Sequence, residues 1–228
     1  MADLSTIIAR AKARSDMEGS SFVDDGEWAA WANSEYKQLY DFIAQHPENR
    51  LYLTSFESQL VAGQADYTVT PTTGNPIYRI SGVDIKLSDG GYYPMTVSGW
   101  NDRQENTSVY RHAARHRYAY QLMGRATTGA PIVRINPTPY SADTFRVWYT
   151  PVAGDISDDN IIELFGWDEY IILGMAIRAL TKEESDTSAL RLDKQNEAAR
   201  INQAIQSMNQ GGAGAMGSSE YAPYPWEY

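Results

Sequence analysis

The 228-residue chain carries 19 Lys plus Arg against 29 Asp plus Glu, a formal charge of −10, and no cysteine. Disulfides and thiolate metal sites are thereby excluded, and the acidic balance argues against a generic nucleic-acid surface, because neutralising phosphates needs clustered Lys and Arg. No run approaches the roughly 20 apolar residues that span a bilayer, and Asp3 close behind Met1 departs from a secretory leader, so a globular, soluble and unprocessed protein is expected.

Leu4, Ile7, Ile8 and Ala11 recur at helical spacing behind Asp3 or Ser5 as caps, and predict a short first helix that ends by Asp16 to Ser21. Asp24-Asp25 then open a second helix. Its apolar stripe, Trp28, Trp31 or Ala32, Tyr36, Leu39, Tyr40 and Ile43, ends before His46-Pro47. Between Leu51 and about Pro151 the pattern turns β-rich, with Tyr67 to Thr70, Val83 to Leu87, Ile132 to Ile135 and Phe145 to Tyr149 as strands. Turn residues separate them at Gly63-Gln64, Gly74-Asn75-Pro76, Asp89-Gly90-Gly91, Asn136-Pro137-Thr138-Pro139 and Ser141-Ala142-Asp143. The Asp-Gly-Gly turn predicts one hairpin. A second is expected to join Ile132–Ile135 to Phe145–Tyr149.

From Gly166 onward apolar residues crowd into Trp167, Tyr170, Ile171, Ile172, Leu173, Met175, Ile177 and Leu180, so this helix reads as buried on most sides. It is the core candidate around which the other elements are arranged. Turn-forming residues from Glu184 to Ser188 interrupt it, and Ala198, Ile201, Ile205 and Met208 then resume helical spacing as the second arm of a hairpin that stops at Gly211-Gly212. The predicted class is α+β. Residues 1–50 and 152–210 form an antiparallel helical bundle or hairpin body, 51–151 an inserted antiparallel β domain, and 211–228 a flexible tail.

Catalysis finds little support. The histidines are His46, His112 and His116, and there is no phosphate loop, nucleophile motif or metal-ligand helix pair. His112 and His116 sit among Arg111, Arg115 and Arg117 without a glutamate in register and read as loop residues, so no metal, no cofactor and no enzyme are expected. The segment from Arg103 to Arg125 is a basic island, with Arg111, Arg115, Arg117 and Arg125 interleaved with Tyr110, Tyr118 and Tyr120. Two readings fit it: a charged interface for a negative protein surface or nucleic acid, or an exposed β connection whose arginines pair with acidic neighbours. The tail likewise has two readings, an unstructured end or a docking peptide. In the second, a Gly/Ser tether delivers Tyr221, Pro223, Tyr224, Pro225, Trp226 and Tyr228 as rigid anchors on an extended backbone.

Four stretches together resemble the head-to-tail connector, or adaptor, proteins of tailed bacteriophages, in particular the adaptor rings beneath the portal of short-tailed phages. They are Trp28 to Asn33 with Tyr36 and Leu39, then Ala62-Gly63-Gln64-Ala65-Asp66-Tyr67, Ile135-Asn136-Pro137-Thr138-Pro139, and Asp168-Glu169-Tyr170-Ile171-Ile172 leading to Lys182-Glu183-Glu184. The resemblance implies a helical bundle with a β insertion that self-assembles into a usually dodecameric ring. It also implies C-terminal segments docked on the portal protein, an opposite face that receives tail or nozzle protein, and phage DNA that passes through without specific binding. The place implied is the head-tail junction of the virion, after synthesis in the host cytoplasm, with no membrane involved. A carbohydrate-binding β module using exposed Tyr and Trp, and a hydrolase, are the other classes considered.

Overall fold

The computed structural model describes residues 3–46, 50–71, 74–86, 90–99, 118–156 and 166–210. Its chain divides into two compact units, Met1–Asn49 with Asp155–Tyr228, and Arg50–Gly154. Four helices and two four-stranded sheets among the described residues make it a mixed α+β protein.

The first unit holds α1 (Leu4–Arg14), α2 (Asp25–Ala44), α3 (Asp168–Lys182) and α4 (Ser188–Gln210). Aspartates start the first two helices as the sequence predicts: Asp3 accepts the Thr6 N–H at 2.7 Å and Asp24 accepts the Glu27 N–H at 2.8 Å. Non-glycine residues in the left-handed region stop two of them. Asp16 (φ 55°) follows α1, where the Met17 N–H closes on the Lys12 carbonyl at 2.8 Å, and Glu184 (φ 62°) follows α3, where the Ser185 N–H closes on the Leu180 carbonyl at 2.9 Å.

α3 is the centre of this unit. Six consecutive residues, Ile171 to Ala176, are buried, so the helix is enclosed on all sides and not along one stripe. The enclosing surfaces come from α1 (Ile7, Ala11), α2 (Trp28, Ala32, Leu39, Ile43) and α4 (Ile201, Ile205), all of which pack on α3 or its neighbours. Met208, expected on the inward stripe of α4, is half exposed instead at 51%. Among the residues of α4 whose burial is described, Ile201 and Ile205 are the buried ones, with Ala198 half-buried on the same side.

The second unit is a two-sheet β structure. One sheet has the order β1-β8-β3-β4, with β1 (Thr54–Gln59), β8 (Thr144–Pro151), β3 (Ile77–Lys86) and β4 (Tyr92–Pro94); the other has β2-β7-β6-β5, with β2 (Asp66–Thr68), β7 (Pro131–Asn136), β6 (Ala119–Arg125) and β5 (Thr96–Val97). Val83, Ile85, Phe145, Val147 and Tyr149 from the first sheet join Tyr67, Tyr120, Val133 and Ile135 from the second in one buried cluster. The Tyr67 and Phe145 rings meet edge-on with centroids 5.4 Å apart. β3 and β4 pair antiparallel with Lys86 opposite Tyr92, forming the hairpin predicted at the Asp-Gly-Gly turn, whose Asp89 lies outside the described residues. The other expected hairpin does not form. β7 pairs with β2 and β6, while β8 pairs with β1 and β3, so these consecutive strands belong to different sheets. Both carry inward apolar residues, and placing them in opposing sheets buries both sets. The connection between them is pinned by Leu60 N–H on the Asp143 carbonyl and Gly63 N–H on the Pro139 carbonyl, each at 2.8 Å.

Ile171 is 0% exposed at the midpoint of this packing. Ile171→Asp would bury an unpaired charge at a cost of several kcal/mol against a typical stability of roughly 5 to 15 kcal/mol. Loss of the cooperative helical melt in circular dichroism is expected, and an unchanged melting curve would refute the packing described. A second expectation concerns alkali. Burial pushes the Tyr36 phenol up from 10 to about 12, so the folded unit holds it neutral while the unfolded chain ionises. The stability this contributes is present below pH 10 and lost as pH rises toward 12; Tyr36→Phe should flatten that loss in urea titrations across the window.

Candidate functional site

Six of the sequence-predicted site residues, Tyr221, Pro223, Tyr224, Pro225, Trp226 and Tyr228, lie outside the described residues, as do Arg111, Arg115 and Arg117 with His112 and His116. Arg125 is described. It ends β6, where its guanidinium donates to the Gly129 carbonyl at 2.8 Å and the Tyr78 carbonyl at 3.4 Å, bracing the turn at 126–129, and among the described residues no ion pair of Arg125 with an acid is formed. Tyr118 and Tyr120, expected on the surface of the basic island, are core residues at 2% and 4% exposure. Tyr118 directly precedes β6, whose first three residues are all buried, and both tyrosines join the cluster that holds Phe145 and Val147. Among the described residues no group of three or more His, Asp or Glu is placed to hold a metal, and no helix is long and apolar enough to cross a membrane.

What the sequence reading passed over is a charged cluster inside the helical unit. Glu35, 3% exposed on α2, accepts from Arg178 Nε of α3 at 2.7 Å and from Lys194 Nζ of α4 at 2.5 Å. Arg178 also donates to Ser34 Oγ at 2.9 Å, and Lys194 Nζ lies 4.5 Å from the Tyr170 ring centroid. Burial, with the Glu35 charge as a smaller cause, raises the Tyr170 phenol above its ordinary value. The carboxylate can lie there because position 174 is glycine: a Cβ on Gly174 would overlap the Glu35 carboxyl. A signal did exist, since Trp28, Ala32, Glu35 and Leu39 share one helical stripe and an acid on such a stripe requires a buried partner.

The outer ends of α3 are tied as well. Asp168 and Glu169 in its first turn pair with Arg10 and Arg14 of α1, and Lys182 in its last turn pairs with Glu27 of α2 at 2.6 Å. Acids at the start and a base at the end also suit the helix dipole.

In the β unit two of the stretches that carry the adaptor resemblance meet. Tyr67 Oη accepts the Val61 N–H and donates to the Gln64 carbonyl, both at 2.9 Å, folding the 61–66 turn back on its own strand. That turn is joined to the 135–139 stretch by Gly63 N–H on the Pro139 carbonyl and Ile135 N–H on the Ala65 carbonyl, each at 2.8 Å. Arg134 grips Asp66 bidentately at 2.7 and 2.8 Å and holds its carboxyl below the usual range. The Asn136-Pro137 bond is cis. On the outer face of the other sheet, Arg146 bonds Glu57 at 2.7 Å, lowering that carboxyl, and lies 3.7 Å from the Tyr92 ring centroid. Trp148 Nε1 donates to Asp84 at 2.6 Å beside it.

A protein-family model described as SU10 adaptor protein matches residues 2–222. The chain belongs to the SU10 adaptor protein family. No curated protein matches it. Membership in this adaptor family makes the chain a phage structural protein, a virion component of a kind that assembles with portal and tail parts. The match takes in both units, every described element and the first residues of the C-terminal segment, in agreement with the resemblance carried by the four stretches.

For this adaptor, Glu35→Gln should leave Arg178 and Lys194 without a buried counter-charge and lower unfolding stability by roughly 3 kcal/mol. Gly174→Ala tests the same contact from the other side. Alanine is favoured over glycine inside a helix by about 1 kcal/mol, so a net loss in urea unfolding identifies the overlap with Glu35 as decisive, and a gain would refute it.

Proposed function

We propose that this protein forms the adaptor ring between portal and tail, a usually dodecameric assembly at the head-tail junction that seals and extends the conduit for the packaged and ejected genome. The observation that carries the reading is the family match over residues 2–222, nearly the whole chain. In this reading the helical unit is the bundle body and the β unit an insertion in it. Ring closure needs heterologous contacts whose rotation closes. The net charge of −10 suits a wall along which DNA slides without counterion-driven adhesion. The protein works as a structural part and not as a catalyst, with no cofactor. Its partners are further copies of itself, the portal protein, and the tail or nozzle protein. Arg111, Arg115 and Arg117 offer a charged interface, and Arg125 adds to it only through whatever its two carbonyl bonds leave free.

The C-terminal segment is the portal contact in this reading, with Tyr221, Tyr224, Trp226 and Tyr228 as anchors and Pro223 and Pro225 stiffening them. Burying one aromatic side chain contributes on the order of 1.5 to 3 kcal/mol, so a few anchors offset the ordering of a short extended peptide, and a ring multiplies the effect through effective concentration. Deleting residues 219–228 should leave the helical circular dichroism signal intact while abolishing co-sedimentation of the adaptor with portal rings. Retained co-sedimentation would sink the docking role of the segment.

A further inference from the structure

α4 turns Ile201 and Ile205 inward, and the face directly opposite them has a pattern of its own. Ala189, Leu192, Asn196, Ala199, Gln203 and Gln206 follow one another at alternating steps of three and four, and all six are exposed. That spacing draws a nearly straight seam along a helix and is the spacing of the facing positions in a coiled coil. The seam runs for about 25 Å at a rise of about 1.5 Å per residue. The outward face of a surface helix ordinarily carries its charges. Here no seam position is charged, although 21% of the chain is, and Leu192 stands 58% exposed at one end.

Two charges flank the seam, Asp193 and Arg200, one heptad apart on the same border of it. The Asp193 side chain makes no hydrogen bond or ion pair among the described residues. Arg200 uses Nε and Nη2 on Glu197 and the Gly166 carbonyl, and its Nη1 forms no bond among them. These charges decide how a second helix of the same sequence can lie on the seam. Antiparallel pairing, with Ala189 facing Gln206, Leu192 facing Gln203 and Asn196 facing Ala199, sets Asp193 beside Arg200 of the second copy and repeats the pair across the two-fold axis. A slip of one heptad in either direction sets Asp193 against Asp193 or Arg200 against Arg200, and a parallel arrangement sets them against Ser188 and Gln195. The amides suit the same occupant, since each donates and accepts and so complements a copy of itself.

We propose that α4 is a self-recognition helix, through which two copies of this protein pair antiparallel about a two-fold axis level with residues 197 and 198. The contact goes beyond the ring reading and does not rest on it, because a two-fold contact closes after two copies whereas a ring needs head-to-tail contacts. It belongs to the protein outside a ring. One helix against another lies at the small end of specific interfaces, so the pair exchanges readily with the monomer and its population follows concentration.

Sedimentation velocity of the full chain over a concentration series tests it, and a monomer–dimer equilibrium is expected. Asp193→Lys and Arg200→Glu each make both flanking contacts repulsive and should weaken pairing at least about tenfold. An equimolar mixture of the two variants should restore it, because the mixed pair again matches opposite charges on both sides. Ala199→Glu sets a charge on the seam itself and should abolish pairing alone and in any mixture. All three positions are exposed, so the helical circular dichroism signal should stay unchanged and separate lost pairing from lost folding. A chain that remains monomeric throughout, pairing that either charge change leaves untouched, a mixture that pairs no better than its components, or charge-sensitive association that runs past two copies overturns the proposal.

Discussion

Glu35 sits between Arg178 and Lys194, one acid from α2 held by one base from α3 and one from α4. The hydrophobic packing around α3 tolerates sliding, because methyl and methylene groups meet their neighbours with little directional preference. A buried carboxylate with two cations does not, since a shift of one helical turn would leave an unpaired charge out of water at a cost of several kcal/mol. The triad therefore fixes the register of three helices at once. It needs Gly174 to admit it and places Lys194 over the Tyr170 ring. The pairs at the ends of α3, Arg10 and Arg14 with Asp168 and Glu169, and Lys182 with Glu27, are more exposed. Pairs of that kind contribute at most about 1 kcal/mol each, so they trim an arrangement that the inner triad decides.

The helices were legible because their signals are local. Asp3 and Asp24 cap where an aspartate before an apolar stripe should, and the run from Trp167 to Met175 is too apolar for anything but a buried helix. Glu35 was legible in principle, but an acid on an apolar stripe draws attention only once its partners, 143 and 159 residues away, are known. The β unit was less legible for a different reason. β1 reads Thr-Ser-Phe-Glu-Ser-Gln, polar because an edge strand has little to bury, and β6 hides Gln121 at 2% exposure behind a sequence that looks like loop. Pairing of β7 with β8 follows from adjacency alone, and adjacency loses when two apolar strands gain more by facing each other across a sandwich. The tail and most of the basic island fall outside the described residues, so for them the sequence alone speaks.

The stretches that carry the family resemblance are fasteners. Trp28 is 1% exposed, Tyr67 6% and Asn136 6%, and Asn33 spends its amide within its own unit, accepting the Ile156 N–H at 2.6 Å and donating to the Ala29 carbonyl at 3.1 Å. Such residues are held in place by the need to close a turn or seat a helix, whatever partner the surface meets. They identify an adaptor by how it is built. Surfaces that touch portal and tail components are free to follow those components and leave no comparable mark in the sequence.

The pairing of β1 with β8 has a consequence for how this architecture can vary. Thr54 lies opposite Tyr149, so the chain enters and leaves the β unit on neighbouring strands, with Cα atoms separated by only about 5 Å. A module whose two ends meet in this way can be lengthened, exchanged for another or cut out, because a link of a few residues rejoins the chain on either side. Lineages of such proteins can then diverge in their β portion while the helices keep one design.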